Sequence, residues 1–260
     1  MVQFIKSYWK TIVFFIIIGL VGGFFTGIYL LDSYPAEIQQ QLLEEMQASG
    51  LGAFPVDIFL GILTAYQSAG YALVMGVFGI LLGKKIGLWK DERTITRQPL
   101  LFAIGISLVA GLAMILPDML YFGKHSQVIM DSYAVKPTIP YLLATVTYGA
   151  VIEEVMLRLF AMSLVAWLLH KLFDRQRPYP ATWILVVANI LSALLFAAGH
   201  LPATLMMIGN SPMILARCFL LNGGIGLLFG WLYRKFGLRY AMIAHAGCHL
   251  VSKLIWILFI

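Results

Sequence analysis

Residues 140–169 read PYLLATVTYGAVIEEVMLRLFAMSLVAWLL, an apolar run whose only charges are Glu153, Glu154 and Arg158. A helix of about 20 apolar residues crosses the hydrocarbon core of a bilayer, so the run predicts a transmembrane helix. A charged side chain at the centre of such a helix costs about 2.5–3.5 kcal/mol on insertion scales, and residues of this kind mark functional sites by default. We therefore take the paired glutamates as the first candidates for a functional site.

The spacing of the three charges separates their roles. Glu154 and Arg158 lie four residues apart, which is one helical turn, so they are expected to neutralise each other. Glu153 points about 100° away from Glu154 around an α-helix and has no obvious partner. This carboxylate is the better candidate for chemistry.

The composition is that of a membrane protein, with 61% hydrophobic and 12% charged residues. The apolar runs predict seven spans, at about 11–31, 58–82, 99–121, 140–169, 182–201, 213–233 and 239–259. These runs are too long and too continuous for the strands of a β-barrel, which have about 10 residues of alternating polarity. Cys218 and Cys248 both fall inside spans, so no disulfide is expected. We predict an all-α, polytopic transmembrane helical bundle that forms a single integral membrane domain over residues 1–260.

The basic residues are divided unequally between the two sets of loops, and this division predicts the orientation. Only Lys124 and Lys136 lie on one side. The other side carries Lys6, Lys10, Lys84, Lys85, Lys90, Arg93, Arg97, Lys171, Arg175, Arg177, Arg234, Lys235 and Arg239. Because cytoplasmic loops are enriched in Lys and Arg, the N-terminus is predicted in the cytoplasm and the C-terminus outside. The net charge of +6 is then a topology signal, so the expected partner is the lipid bilayer and not nucleic acid.

The N-terminal part of the chain carries two further predictions. The first apolar run is too long for the core of a signal peptide, and no small-residue cleavage site follows it, so we interpret it as a retained anchor. After this run, the segment Pro35–Ser49 places Ile38, Leu42 and Met46 four residues apart. This pattern predicts a short amphipathic helix on the outer surface, which either packs at the interface or acts as a substrate lid.

The later spans hold a small set of further polar side chains: His200, His245, His249, Arg217, Asn222 and Lys253. Each of them alone has an ordinary structural interpretation. Intramembrane histidine and asparagine commonly make hydrogen bonds between helices, and Arg217 and Lys253 lie towards helix ends, where they are expected to snorkel to the outer interface. Together with a buried carboxylate, however, three histidines supply what the activation of water requires, since imidazoles hold water, bind a metal or donate to an oxyanion.

Three motifs in order, each in its own span, resemble those of a known family. They are Glu153-Glu154-x-x-x-Arg158, Phe196-x-x-x-His200 and His245-x-x-x-His249. In these motifs the chain resembles the CPBP family of intramembrane proteases, the type II CAAX prenyl endopeptidases and bacteriocin-processing proteins that are also called Abi proteins. The resemblance covers about residues 140–255, which we take as the catalytic core. The chain departs from the family at its last motif, which usually ends in Asn or Asp and here ends in His.

The resemblance implies an intramembrane endopeptidase that hydrolyses a peptide bond of a membrane-associated protein or peptide. It implies that Glu153 activates the attacking water, which it shares with His200. Glu154 and Arg158 would hold the helix geometry and the local charge. The histidines of the last motif would stabilise the oxyanion of the tetrahedral intermediate.

The resemblance leaves two mechanisms open. In one, Glu153 acts without a metal. In the other, Glu153, His200 and His245 bind one divalent ion, zinc, as a set of two histidines and one glutamate with an open position. The sequence contains no His-Glu-x-x-His helix that would decide between them.

Helix length makes a prediction about the depth of the site. Glu153 and His200 lie about 25 Å from the turn that joins their helices, but His245 lies only about 9 Å beyond the start of its own helix. We therefore expect the fourth and fifth helices to project into the cytoplasm as a hairpin above a site near the cytoplasmic face. The short loops are more typical of the bacterial members of the family, so the expected location is a bacterial cytoplasmic membrane.

Two other functions use the same residues. A non-catalytic membrane scaffold or partner protein of this fold would explain the histidine at position 249. A proton-coupled transporter would use Glu153 and the histidines as a relay, but it would predict inverted repeats that the sequence does not display.

Overall fold

The computed structural model describes residues 2–91 and 94–260, and within these residues the chain is helical and contains no strand. The helices before residue 139 are α1 (Val2–Ser33), α2 (Ala36–Ala48), α3 (Val56–Lys85), α4 (Arg97–Pro117), the π-helix π1 (Asp118–Phe122), α5 (Gly123–His125) and α6 (Gln127–Ala134). The later helices are α7 (Ile139–Ala144), π2 (Thr145–Glu153), π3 (Val155–Met162), α8 (Ser163–Phe173), α9 (Thr182–Gly199), α10 (Leu201–Met207), α11 (Pro212–Cys218), π4 (Phe219–Gly223), α12 (Gly224–Phe236) and α13 (Leu238–Phe259). The predicted all-α class is confirmed. Arg93, one of the residues that predict the orientation, lies outside the described residues.

Among the described residues, six helical segments are long and apolar enough to cross a membrane: Lys6–Ser33, Val56–Lys85, Arg97–His125, Thr182–Met207, Pro212–Phe236 and Leu238–Phe259. They coincide with six of the seven predicted spans. The remaining one, 140–169, lies in a continuous helical stretch from Ile139 to Phe173 that contains the three charges described above. Large apolar side chains on the outside of the helices are exposed, such as Leu101 at 58% and Leu172 at 72%, as expected where lipid is the solvent. The chain is an integral membrane protein, and the orientation of its termini stays a prediction.

The described helices pack into two compact units. The first takes the chain up to Val74 together with Pro137–Ile152, and the second takes Met75–Lys136 together with Glu153–Ile260. All candidate site residues belong to the second unit. The prediction of a single integral membrane domain is not tested by this division and stays a prediction.

In the first unit, α1 packs on α3 through small residues. Gly19 approaches the backbone of Ser68 so closely that an added Cβ would lie 3.0 Å from the carbonyl oxygen. Gly23, one turn further along, approaches the same helix at Ala65. Small residues let two helix backbones approach, and this contact replaces the hydrophobic driving force that lipid does not supply.

The predicted amphipathic helix is present as α2. Pro35 precedes its first turn, and Met46 is buried while Ile38 is exposed. The position of this helix on the outer surface stays a prediction.

In the second unit, α4 packs along α13, the helix that carries two of the candidate histidines. The Ser107 hydroxyl donates to the carbonyl of Ala103 in its own helix over 2.8 Å and lies 3.4 Å from the carbonyl oxygen of Ala244. Gly247 faces Ser107 with no room for a Cβ. These contacts fix the rotation of α13 about its own axis. Cys218 and Cys248 are free and buried in this unit, as predicted.

Two stretches of the fourth predicted span, π2 and π3, are wound as π-helix. A π-helix bonds residue i to residue i+5, is rare, and is frequent at functional sites. Hydroxyl groups supply donors to its carbonyls: Thr147 donates to Leu143 over 2.5 Å, and Ser192 of α9 donates to Leu157 over 2.7 Å. Because a side chain inserted into the α-helical ladder satisfies the displaced carbonyl, these hydroxyls favour the wider winding.

A buried ion pair joins π1 to α11. Asp118 is fully buried, and Arg217 donates to both of its carboxylate oxygens, through Nε over 2.6 Å and through Nη2 over 2.5 Å. Tyr133 of α6 donates to the same carboxylate over 2.8 Å. The prediction that Arg217 snorkels to the interface is wrong, because its side chain turns inward to Asp118. It is also wrong for Lys253, which is buried with Nζ 5.5 Å from the ring centroid of Trp256.

Replacement of Asp118 by Asn should lower the free energy of unfolding by about 3–5 kcal/mol, because it leaves the Arg217 guanidinium without its counter-ion. The double variant Asp118→Leu/Arg217→Leu should recover most of this loss, since both charges are then absent. Asp91→Asn is the matched control: its partner Lys84, 3.6 Å away, is 43% exposed, so the loss should stay below about 1 kcal/mol. Unfolding in detergent micelles measures all three variants, and equal losses for Asp118→Asn and Asp91→Asn would contradict the assignment.

Candidate active site

Glu154 is the centre of the candidate site. Its carboxylate is fully buried and lies between two partners, with Oε2 3.3 Å from Nε of Arg158 and Oε1 2.9 Å from Nδ1 of His245. The first contact lies within one turn of helix, whereas the second joins this helix to α13. The predicted ion pair between Glu154 and Arg158 is confirmed, and His245 is a second partner of the same carboxylate.

Arg158 is fully buried and is held by a backbone carbonyl and two aromatic rings. Nη2 donates to the carbonyl of Gly226 over 3.1 Å. The guanidinium carbon lies 4.7 Å from the ring centroid of Phe196 and 5.9 Å from that of Phe229. Within the described residues Nη1 has no hydrogen-bond partner. The faces of aromatic rings attract a cation by about 0.5–2 kcal/mol for each contact. The two rings therefore partly compensate for the hydrogen bonds that the Arg158 guanidinium lacks.

The hydrogen bonds of the last motif define the tautomers of its two histidines. Nε2 of His249 lies 3.1 Å from Nε2 of His245. Because an ionised carboxylate only accepts, His245 carries its proton on Nδ1 and donates it to Glu154. Nε2 of His245 then holds a lone pair, so His249 donates its Nε2–H to it. This leaves Nδ1 of His249 without a proton, in agreement with its burial and its lack of a partner among the described residues.

Glu153 is the accessible member of the glutamate pair, with 20% of its side chain exposed. Its Oε2 lies 3.9 Å from Nε2 of His245, which is too long for a direct hydrogen bond. Since a π-helix has more residues per turn than an α-helix, it turns by less than about 100° per residue. Glu153 and Glu154 can therefore both face α13, and the expected approach of Glu153 to His245 is present.

His200 caps the C-terminal end of α9, where its ring is perpendicular to that of Phe196 at a centroid distance of 4.7 Å. Its Nδ1–H donates to the carbonyl of Phe196 over 2.8 Å. This bond fixes the tautomer and leaves Nε2 with a lone pair. Within the described residues His200 makes no hydrogen bond or ion pair with Glu153 or His245. His200 and His245 share a neighbour, because the ring of Phe196 also contacts His245 at a centroid distance of 5.8 Å.

The predicted zinc set of Glu153, His200 and His245 does not come together as a metal site. Within the described residues, no three His, Cys, Asp or Glu side chains are arranged to hold a metal ion. The two ring nitrogens of His245 both have protein partners, Glu154 and His249, so neither is free to coordinate. The arrangement therefore does not fit a three-ligand zinc ion.

The sequence did not single out the apolar half of the site. Phe196 entered only as a letter of a motif, and Phe229 gave no signal at all, because apolar residues are ordinary in a membrane span. Asp118 was also missed. As a carboxylate within an apolar run, it carried the same signal as the glutamates.

The space beside Arg158 predicts opposite effects for two neighbouring glycines of α12. An added Cβ at Gly226 would lie 3.2 Å from Nη2 of Arg158 and 3.3 Å from Cδ1 of Phe196, whereas a Cβ at Gly224 meets nothing within 4 Å. Gly224→Ala should raise the free energy of unfolding by about 0.5–1 kcal/mol through helix propensity alone. Gly226→Ala has the same gain, but overpacking against the enclosed guanidinium costs about 1–3 kcal/mol, so the net change should be a loss.

Thermal unfolding of the two alanine variants in detergent measures the difference. Equal stabilisation by both would show that Arg158 has room to move and would contradict the enclosed site.

Comparison with protein families identifies a domain in the second half of the chain. Residues 135–251 match the family model described as type II CAAX prenyl endopeptidase Rce1-like, and this range contains every candidate site residue. Neither the curated proteins nor the solved structures gave a match. At the level of the family, this match supports a CAAX-protease-type membrane endopeptidase. The resemblance inferred from the three motifs is confirmed: residues 135–251 carry an Rce1-like domain, which supports a membrane protease of the CPBP family.

Proposed function

We propose that the chain is an intramembrane endopeptidase in which Glu153 activates the water that cleaves a peptide bond. The observation that carries the proposal is the position of the Glu153 carboxylate, 3.9 Å from His245 and outside the pair of Glu154 with Arg158. Glu154 is occupied as the counter-ion of a guanidinium. Glu153 is not, so it is the carboxylate available to take up a proton.

The reaction balances with Glu153 as base and then as acid. A water donates one hydrogen to the Glu153 carboxylate while its oxygen adds to the carbonyl carbon of the peptide bond, which gives a tetrahedral oxyanion. The carboxylic acid then returns the proton to the amide nitrogen, the C–N bond breaks, and a carboxyl and an amine terminus are released. General acid–base catalysis of this kind contributes about 100- to 10,000-fold.

The histidines supply the remaining polar contacts of the proposed mechanism. The lone pair on Nε2 of His200 accepts the second hydrogen of the water and so orients its oxygen. The Nδ1–H of His245 is held by Glu154, so the other N–H of the pair belongs to His249. This N–H is donated to Nε2 of His245 in the structure. We assign it to the oxyanion when substrate is bound, where it turns from His245 and takes the place of the amide that the family usually has there.

The family supports a peptide as the substrate and the bilayer as its surroundings. We propose that the substrate is a segment of a membrane-associated protein or a peptide that reaches the site from the cytoplasmic face of a bacterial membrane. Because the described side chains do not form a metal site, we assign the activation of water to Glu153 and route no step through zinc.

Replacement of Glu153 by Gln should abolish cleavage, because the amide cannot take up the proton of the water. Cells that express the wild type or Glu153→Gln are compared by sequencing the ends of their membrane proteins. We expect a set of new chain termini in these membrane proteins that occurs only in cells with the wild type. When the purified protein in phospholipid vesicles is given the same membrane fraction in ¹⁸O-labelled water, the new carboxyl ends should carry the label.

Glu44→Gln on the exposed face of α2 is the matched control and should leave these ends unchanged. Identical ends with wild type and Glu153→Gln would refute the proposal and favour a non-catalytic scaffold, provided that both variants unfold at the same temperature. Loss of wild-type cleavage in 1,10-phenanthroline, reversed by added zinc, would overturn the assignment of the water to Glu153 alone.

A further inference from the structure

Phe229 of α12 belongs to none of the sequence motifs, yet it is fully buried against the candidate site. Its ring stacks on the imidazole of His245, with centroids 4.6 Å apart and planes inclined by 24°. The same ring lies 5.9 Å from the guanidinium carbon of Arg158. One apolar side chain thus contacts both partners of Glu154.

A neighbouring side chain is needed to keep the His245 ring in the orientation that it has in the structure. Its hydrogen bonds are made at the ring edge, through Nδ1 to Glu154 and through Nε2 to His249. The last torsion of a histidine side chain is broad, so a turn of the ring about this bond moves both nitrogens away from their partners at once. A flat group parallel to the ring resists this turn, and stacked aromatic rings are favourable in themselves.

We propose that Phe229 is a positioning residue of the peptidase site. Its ring fixes the orientation of the His245 ring. This orientation keeps the hydrogen bond from Nδ1 to Glu154 and keeps Nε2 beside Glu153. This inference rests on the proposed function for its effect on rate, but the geometry it describes does not depend on catalysis.

Phe196 does not duplicate this role. Its ring is nearly perpendicular to that of His245, with planes inclined by 87° and centroids 5.8 Å apart, so it offers no parallel face. It contacts His200 and Arg158 as well, and its loss would disturb several groups together. The ring of His249 is also nearly parallel to that of His245, with planes inclined by 27° and centroids 4.9 Å apart, but it is itself a hydrogen-bond partner of His245. Phe229 is therefore the parallel ring that can be replaced without removing a hydrogen bond of His245.

The first test is nuclear magnetic resonance of the protein labelled with ¹⁵N-histidine in detergent micelles, with the His245 signals assigned from the loss caused by His245→Gln. Phe229→Leu should replace the signals of a fixed Nδ1–H tautomer by those of an averaged ring, and should move the ring protons downfield as the stacked aromatic ring is lost. Phe229→Tyr, which keeps the ring, should preserve the pattern. Phe122→Leu is the matched control, because Phe122 is equally an interior phenylalanine of the second unit but packs with Ile115, Ile129 and Tyr133.

The second test is the rate of cleavage, in vesicles, of a fluorescence-quenched peptide that spans one of the cleavage sites defined by the wild-type-specific chain ends described above. Phe229→Leu should lower kcat by about 10- to 100-fold with KM changed less than about twofold, as expected when a catalytic group is misplaced and binding is kept. Phe229→Tyr should restore most of kcat, and Phe122→Leu should leave it unchanged.

The outcomes separate this inference from the proposed function. Unchanged His245 signals in Phe229→Leu would overturn the positioning role, whatever the activity. Altered signals together with an unaltered kcat would also overturn it, while the peptidase function would stand. If the wild type and Glu153→Gln give the same cleavage products, the proposed function fails. The His245 signals alone then decide whether Phe229 orients the ring.

Discussion

The buried carboxylate of Glu154 imposes the arrangement of the second unit around it. An unpaired charge in a dry interior costs several kcal/mol, so Glu154 requires both of its partners, Arg158 in its own helix and His245 on α13. The guanidinium is buried in turn, and it requires the Gly226 carbonyl and two aromatic faces. Each group that satisfies one charge brings another helix to the site, and in this way four distant parts of the sequence meet.

The winding of the fourth predicted span determines which partners each of the two adjacent glutamates can reach. In an α-helix, Glu153 would point about 100° away from Glu154. The π-helical stretches reduce this angle, and both carboxylates face His245, one in a hydrogen bond and the other 3.9 Å away. Glu154 is thereby neutralised and Glu153 is left available. A fixed charge and a reactive carboxylate can then occupy neighbouring positions in the chain.

The polar half of the site was predictable from sequence and the apolar half was not. Charged and imidazole side chains stand out in a membrane span because they are costly there, which is why Glu153, Glu154, Arg158, His200, His245 and His249 could all be singled out as candidates. Phe229 has no such cost, so nothing in the spacing of a uniformly apolar helix marks it. The inward turn of Arg217 was missed because its partner Asp118 lies 99 residues earlier, and only the fold brings them together.

The hydrogen bond between Glu154 and His245 is the contact on which this description rests, and its length can be measured in a bilayer. Solid-state nuclear magnetic resonance can detect the dipolar coupling between the carboxyl carbon of Glu154, labelled with ¹³C, and Nδ1 of His245, labelled with ¹⁵N. We expect a coupling that corresponds to direct hydrogen-bond contact, in keeping with the 2.9 Å between Oε1 and Nδ1. A coupling too weak to detect, with the protein folded, would show that Glu154 is not bound to α13 and would contradict the site described here.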